Sequence, residues 1–148
     1  MRAAGYRTGR YTSPHLVDLE ERIAIDGRAI AAADLDRVAE RIRKEAAGLP
    51  APPSFFEATT ALALEAFREA RIDVAVLEVG LGGRLDATTV GRPAATVLGQ
   101  IDLDHKEYLG DTLAAIAAEK AAIIRSGVAL AAVQAPEATA IIVRRAAD

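Results

Sequence analysis

The sequence contains no cysteine and no tryptophan, and only three phenylalanines, three tyrosines and one methionine among 148 residues. Without cysteine there are no disulfides and no thiolate metal sites, although this says little about compartment. A core so poor in rings has to be packed from Ala, Leu, Ile and Val, which suits helices lying close on a sheet. Positive charge is not in excess: the formal net charge is −3, so nothing marks a nucleic-acid surface or a basic membrane-seeking stripe. No apolar run approaches the roughly 18 residues that cross a bilayer, and Met1-Arg2 opens no secretory signal. The expectation is a cytoplasmic protein with no nucleic acid and no membrane among its partners.

What is present is ordinary for a globular core, 51% hydrophobic and 26% charged, at a length that suits one domain, residues 1–148. Met1 to Gly5 reads as the last turn of a helix closed by glycine, Tyr6 to Tyr11 as a short strand, and Thr12 to His15 as a polar loop. Glu20 to Ile30 alternates around Asp26-Gly27, a strong hairpin pair. Ala33 to Ala47 predicts an amphipathic helix with Leu35, Val38 and Ile42 on one side, ended by Gly48 and the prolines at 50, 52 and 53. Phe55 to Ala70 predicts a second helix.

Val74 to Leu77 is a continuous apolar run, the pattern of a strand covered on both faces. Glu78 and the loop Gly80-Leu81-Gly82-Gly83 follow it. Ala94 to Ile101 predicts another strand, Thr112 to Arg125 a helix, Val128 to Val133 a strand, and Pro136 onward a helix. Strands alternating with helices predict an α/β fold, with a mostly parallel sheet flanked by helices.

In such sheets ligands bind beyond the carboxyl ends of the strands. Glu78 follows one strand directly, and Asp104-His105 follow another within a few residues. A carboxylate and an imidazole there suit a divalent metal; taken singly, each also reads as a solvated residue or a loop hydrogen bond. Lys120 lies four residues after Ile116 and seven after Leu113, inside an apolar stripe. A buried amine loses basicity and can capture carbon dioxide as a carbamate. A stem packed on the core with its head in water explains the same position.

The glycine loop is not a dinucleotide fingerprint, because G-x-G-x-x-G needs a third glycine where Leu85 stands. It reads instead as a loop whose backbone turns sharply or approaches a ligand. No G-x-x-x-x-G-K-[ST] phosphate loop occurs anywhere. Glu57 is placed with Arg68 on the polar side of its helix.

The segments "GYRTGRYTSPHL", "ERIAIDGRAI", "SFFEATTALAL", "VAVLEVGLGGRLDATT" and "DLDHKEYLGDTLAAIAAEKAAIIRSG" together resemble the folylpolyglutamate synthase/dihydrofolate synthase family of Mur-type ligases. The resemblance implies a Mur-ligase-like central, ATP-binding domain. It implies Ser13, Glu78 and His105 as magnesium ligands, with Lys120 as a carboxylated lysine and Lys120 and His105 as catalytic residues. Ser54, Phe55, Phe56 and Glu57 would line a pterin site with Leu85, Asp86 and Ala87.

The implied reaction uses ATP and Mg2+ to activate the carboxylate of dihydropteroate or a folate as an acyl phosphate, which the amino group of L-glutamate attacks. Another Mur-type ligase with a different acid substrate, and a non-catalytic binding or structural remnant, are the alternatives. Thr89, Asp102 and Ala122 stand where the family usually has Asn, Gly and Gly. A left-handed backbone at Asp102 would accommodate that change, whereas a lost amide at 89 would loosen its loop. The family's G-x-N-G-K-G-S loop and C-terminal domain have no counterpart in these residues. The expectation is therefore an incomplete domain, inactive alone and prone to self-association through bared apolar surface.

Overall fold

The Asp26-Gly27 pair turns the chain as its sequence predicts. In the computed structural model, which describes Met1–Asp148, these residues have φ of 49° and 80°, the left-handed pair that a two-residue hairpin needs. Asp26 adds a hydrogen bond that glycine could not, its Oδ1 accepting from the Thr8 N–H at 2.8 Å. The hairpin belongs to the first of two compact units, Met1–Val79 and Gly80–Asp148.

The first unit holds strands β1 (Thr8–Tyr11), β2 (Ile23–Ile25), β3 (Arg28–Ala29) and β4 (Val74–Leu77), and helices α1 (Ala32–Ala46) and α2 (Phe55–Ala70). Its sheet runs β3-β2-β1-β4. The hairpin pairs are antiparallel, while β1 runs parallel to β4 with Thr8 opposite Val74 and Tyr11 opposite Leu77. Tyr11, Ile23 and Val38 are almost fully buried, packed with Leu35, Leu62 and Phe67. Each such apolar side chain contributes about 1.5–3 kcal/mol by leaving water. The Tyr11 hydroxyl is satisfied inside this core by Thr59 Oγ1 at 2.8 Å and Thr60 Oγ1 at 3.3 Å.

Three sequence expectations change here. Leu19–Arg22 forms a 3-10 turn, so the alternating stretch becomes strand only from Ile23. Met1 to Gly5 is likewise a 3-10 turn over Arg2–Ala4, closed by Gly5 in the left-handed region. The strand at 74–77 is not covered on both faces: Ala75 and Val76 are exposed. The reason is its place at the end of the sheet order, hydrogen-bonded to β1 alone.

The second unit contains β5 (Ala95–Leu98), α3 (Lys106–Leu109), α4 (Leu113–Ala121), β6 (Val128–Ala131) and α5 (Pro136–Ala147). Strands β5 and β6 pair in parallel, Ala95 opposite Val128 and Leu98 opposite Ala131. The core here gathers Leu98, Ile101, Leu109, Ile116, Ala117, Ala121, Ala138 and Ile142; the alanines allow α4 and α5 to approach closely. The sheet's other face is bare, with Val97, Val128 and Leu130 exposed. Helix α4 is shorter than the expected 112–125. Thr112 is its N-cap, with Oγ1 accepting from the Ala115 N–H at 3.1 Å. After Ala121 the bonding tightens to i+3, Ile123 N–H to the Lys120 carbonyl and Ile124 N–H to the Ala121 carbonyl.

Across both units the α/β class holds, with a mixed four-stranded sheet and a parallel pair. No helix is long and apolar enough to cross a membrane.

Candidate functional site

In the first unit, Ser13 and Glu78 meet. Glu78 continues the β4 ladder past its last strand residue, its N–H donating to the Tyr11 carbonyl at 2.9 Å. That register sets the carboxylate beside the loop after β1, where Oε2 accepts from the Ser13 N–H at 2.8 Å. The Ser13 hydroxyl and Glu78 Oε1 have no hydrogen-bond partner within the chain. A free hydroxyl and a free carboxylate oxygen held side by side are hard donors, so these residues fit a magnesium ion.

The entrance of α2 is built by a capping box. Ser54 Oγ accepts from the Glu57 N–H at 3.2 Å, and Glu57 Oε2 accepts from the Ser54 N–H at 2.7 Å. Hydrogen bonding of its carboxylate to the Ser54 hydroxyl first, and to the Ser54 N–H next, holds the Glu57 carboxyl below its ordinary range. Glu57 therefore does not engage Arg68, which pairs with Glu65 at 2.7 Å. Phe56 is partly buried, its ring 5.9 Å from that of Tyr11. Phe55 is exposed, with the Arg22 guanidinium carbon over one face of its ring, 5.2 Å from the centroid, which leaves the other face for a flat ligand.

In the second unit, the glycine loop is organised by Asp86. Its Oδ2 accepts from the Gly80 and Leu81 N–H groups at 2.9 and 3.1 Å, and its Oδ1 from the Thr88 N–H and hydroxyl at 2.9 and 2.5 Å. Leu85 is 82% exposed and Ala87 half-buried. Gly83 lies so close to the end of α4 that a Cβ there would stand 2.7 Å from the Glu119 carbonyl oxygen and 2.9 Å from that of Lys120. Loop and helix are joined again by Arg84, whose Nε donates to Glu119 Oε1 at 2.9 Å. The glycine loop and Lys120 thus become neighbours, though 37 positions separate Gly83 from Lys120 in the chain.

Lys120 is half-buried in α4, one turn after the buried Ile116, and its ammonium makes neither an ion pair nor a hydrogen bond within the chain. His105 is exposed and left-handed at φ 49°, opening the short α3, with Nε2 3.5 Å from Asp104 Oδ2. The left-handed residue of this loop is thus His105 and not Asp102, whose Oδ1 accepts from the Leu103 N–H. Thr89 does not leave its loop loose: its hydroxyl donates to the Asp86 carbonyl at 2.6 Å, and its own carbonyl accepts from Arg125.

Two positioning residues were not apparent in the sequence. Gln134, just past β6, accepts from the Ile101 N–H at 2.9 Å and donates to the Gly99 carbonyl at 2.7 Å, pinning the segment that leads to His105. Arg22 is buried, with Nε donating to His15 Nδ1 at 2.8 Å. A glutamine at a strand end and an arginine before an apolar strand give little local signal. No group of three or more His, Cys, Asp or Glu side chains gathers as a metal cluster.

No family model matches the chain. A dihydrofolate synthase/folylpolyglutamate synthase of Mycobacterium tuberculosis is 46% identical over 129 residues, covering 80% of this chain and 26% of that protein. A crystal structure of folylpolyglutamate synthase from Mycobacterium tuberculosis, complexed with ADP and AMPPCP, superposes with a TM-score of 0.92 at 39% identity, over 99% of this chain and 36% of that one. A folylpolyglutamate synthase complexed with AMPPCP and folate gives 0.88 at 38% identity, over 99% and 37%. The chain spans 16–36% of the length of the curated relatives compared. Homology along the whole chain and a shared fold make it a member of the folylpolyglutamate synthase/dihydrofolate synthase family.

Proposed function

We propose that residues 1–148 supply part of the ATP- and folate-binding domain of a cytoplasmic ligase that joins L-glutamate to the carboxylate of dihydropteroate or a folate. The observation that carries this reading is the Ser13–Glu78 contact at the carboxyl end of β4, in a fold shared with synthases bound to ATP analogues and folate. Ser13, Glu78 and His105 would hold Mg2+. Lys120 would carry a carbamate, as the family resemblance implies. Bound magnesium supplies positive charge against the oxygens of a transferring phosphoryl group.

The acid's carboxylate oxygen attacks the γ-phosphorus of ATP, giving an acyl phosphate and ADP. The amine of glutamate then adds to the acyl carbon, loses a proton, and the tetrahedral adduct expels phosphate to leave an amide. Phe55 and Leu85 offer exposed apolar surface for the pterin ring, and Phe56 packs against the core beside Tyr11. Glu57 has one oxygen left to accept from ring N–H groups, while Ser54 and the capping box hold it in place. Asp86 contributes by fixing the backbone around Ala87. The bare face of β5–β6 supports the further reading that the isolated chain self-associates.

The test is a chimera in which this chain replaces the matching segment of the Mycobacterium tuberculosis enzyme. With ATP, magnesium and dihydropteroate, but hydroxylamine in place of glutamate, it should yield the dihydropteroyl hydroxamate. ADP formation without hydroxamate from dihydropteroate or folate, but with hydroxamate from another carboxylic acid, would assign a different Mur-type ligase.

A further inference from the structure

We infer that Arg22 is a substrate-binding residue that takes the carboxylate of the acid substrate, an inference that rests on the substrate class proposed above. Arg22 is 7% exposed, yet none of the chain's ion pairs involves it. A buried charge without a counterion is unfavourable unless an anion reaches it. Its Nε–H is spent on the imidazole nitrogen His15 Nδ1 at 2.8 Å, which fixes the plane of the guanidinium. The two terminal nitrogens have no acceptor in the chain and are not sealed from water. They form the fork that matches a carboxylate with two parallel hydrogen bonds.

A second feature points at the same place. The guanidinium carbon lies 5.2 Å from the centroid of the Phe55 ring, and Phe55 is the first residue of the 16-residue helix α2. The capping box uses the Glu57 N–H, and the Ala58 N–H bonds to the Ser54 carbonyl; the Phe55 and Phe56 N–H groups have no acceptor in the chain. The positive end of a helix and an uncompensated guanidinium therefore share one small region.

Three of the acidic groups on the adjoining segments are engaged elsewhere, and the other two, Asp18 and Glu20, make no ion pair with Arg22. Glu21 accepts from the Leu16, Val17 and Asp18 N–H groups, Glu57 from Ser54, and Glu78 from Ser13. Arg22 also connects two parts of the site in the first unit. On one side His15 lies two residues from Ser13 in the metal loop, and on the other stands the exposed ring of Phe55. A ligand with a flat ring at one end and a carboxylate at the other fits that pairing.

The experiment compares pteroate with its carboxamide, titrated calorimetrically into the full chain and into R22M and R22K. The wild type should bind the acid about tenfold more tightly than the amide, roughly the worth of one charge-assisted pair. R22M should bring the two within about twofold while leaving amide affinity unchanged, and R22K should fall between them because it keeps charge but loses the fork. In the wild type, the Arg22 Nε–H NMR signal should move with pteroate and stay still with the amide, a readout that does not depend on a variant folding. An acid preference undiminished in R22M or R22K, or an Arg22 signal indifferent to pteroate, overturns the role of Arg22 and leaves the substrate class standing. Failure of the wild type to bind either compound removes the substrate class, and the role of Arg22 with it.

Discussion

Asp86 shows how one side chain can set a loop. Its carboxylate takes four hydrogen bonds from Gly80, Leu81 and Thr88 while only 9% exposed. Removing it strands several N–H groups where water has little access, so Asp86→Ala should lower the stability of the second unit by about 3 kcal/mol. Asp86→Asn, which keeps one acceptor oxygen, should lose less. Urea unfolding followed by circular dichroism checks both, and a loss below about 0.5 kcal/mol for the alanine variant would remove Asp86 from this role. The sequence singled out Asp86 through a family motif, but not these bonds, because an Asp two residues before a Thr says nothing of the glycines it will bind. Lys120 was more readable, since its place in an apolar stripe marks it before any fold is known.

Helix starts were the most legible elements. The expected starts at Phe55 and Pro136 are those of α2 and α5, and Thr112 is the N-cap of α4; the Ser54-x-x-Glu57 capping box, a signal written in residues three apart, was not read as one. Ends depend on packing: α4 stops four residues before the expected Arg125 without any glycine or proline to signal it. The edge position of β4 was illegible for the same reason, since an apolar run does not report how many neighbours a strand has.

The pairing of α1 with α2 carries a pH signature. Arg41 bridges to Glu65 and Glu69, and Arg37 to Glu69. Hydrogen bonds from Arg68 first, and Arg41 next, hold the Glu65 carboxyl at about 2, below the ordinary 4.5. A depressed carboxylate stabilises the fold above its unfolded value and loses that contribution as pH falls toward the folded value. The melting temperature of the first unit should therefore decline between pH 4.5 and about 2, with a smaller decline in Glu65→Gln. Because Arg41 is 47% exposed, the effect should be modest and reduced by salt. A midpoint that stays level or rises on acidification in that window contradicts the assignment.

At the scale of the molecule, alternation of strands and helices sufficed for the α/β class, and the motif set sufficed for the family. The division into Met1–Val79 and Gly80–Asp148 was not read from the sequence, where length alone suggested one domain. Composition placed no break at Gly80, and contact density is a property of the folded chain. The Ser13–Glu78 contact likewise required the fold, because only the parallel register of β1 with β4 brings residues 65 positions apart together. The charge on Arg22 was equally silent until its burial showed it to be uncompensated.

The central proposal is that these residues supply part of the ATP- and folate-binding domain of a glutamate ligase. Its most direct measurement is product analysis by mass spectrometry of the same chimera, supplied with ATP, magnesium, L-glutamate and dihydropteroate or a folate. The account predicts a glutamylated product that disappears, by about a hundredfold or more, in the Lys120→Ala and Glu78→Ala chimeras while their melting temperatures stay close to the parent's. A folded chimera that makes no such product, or one whose output survives both substitutions, would contradict it.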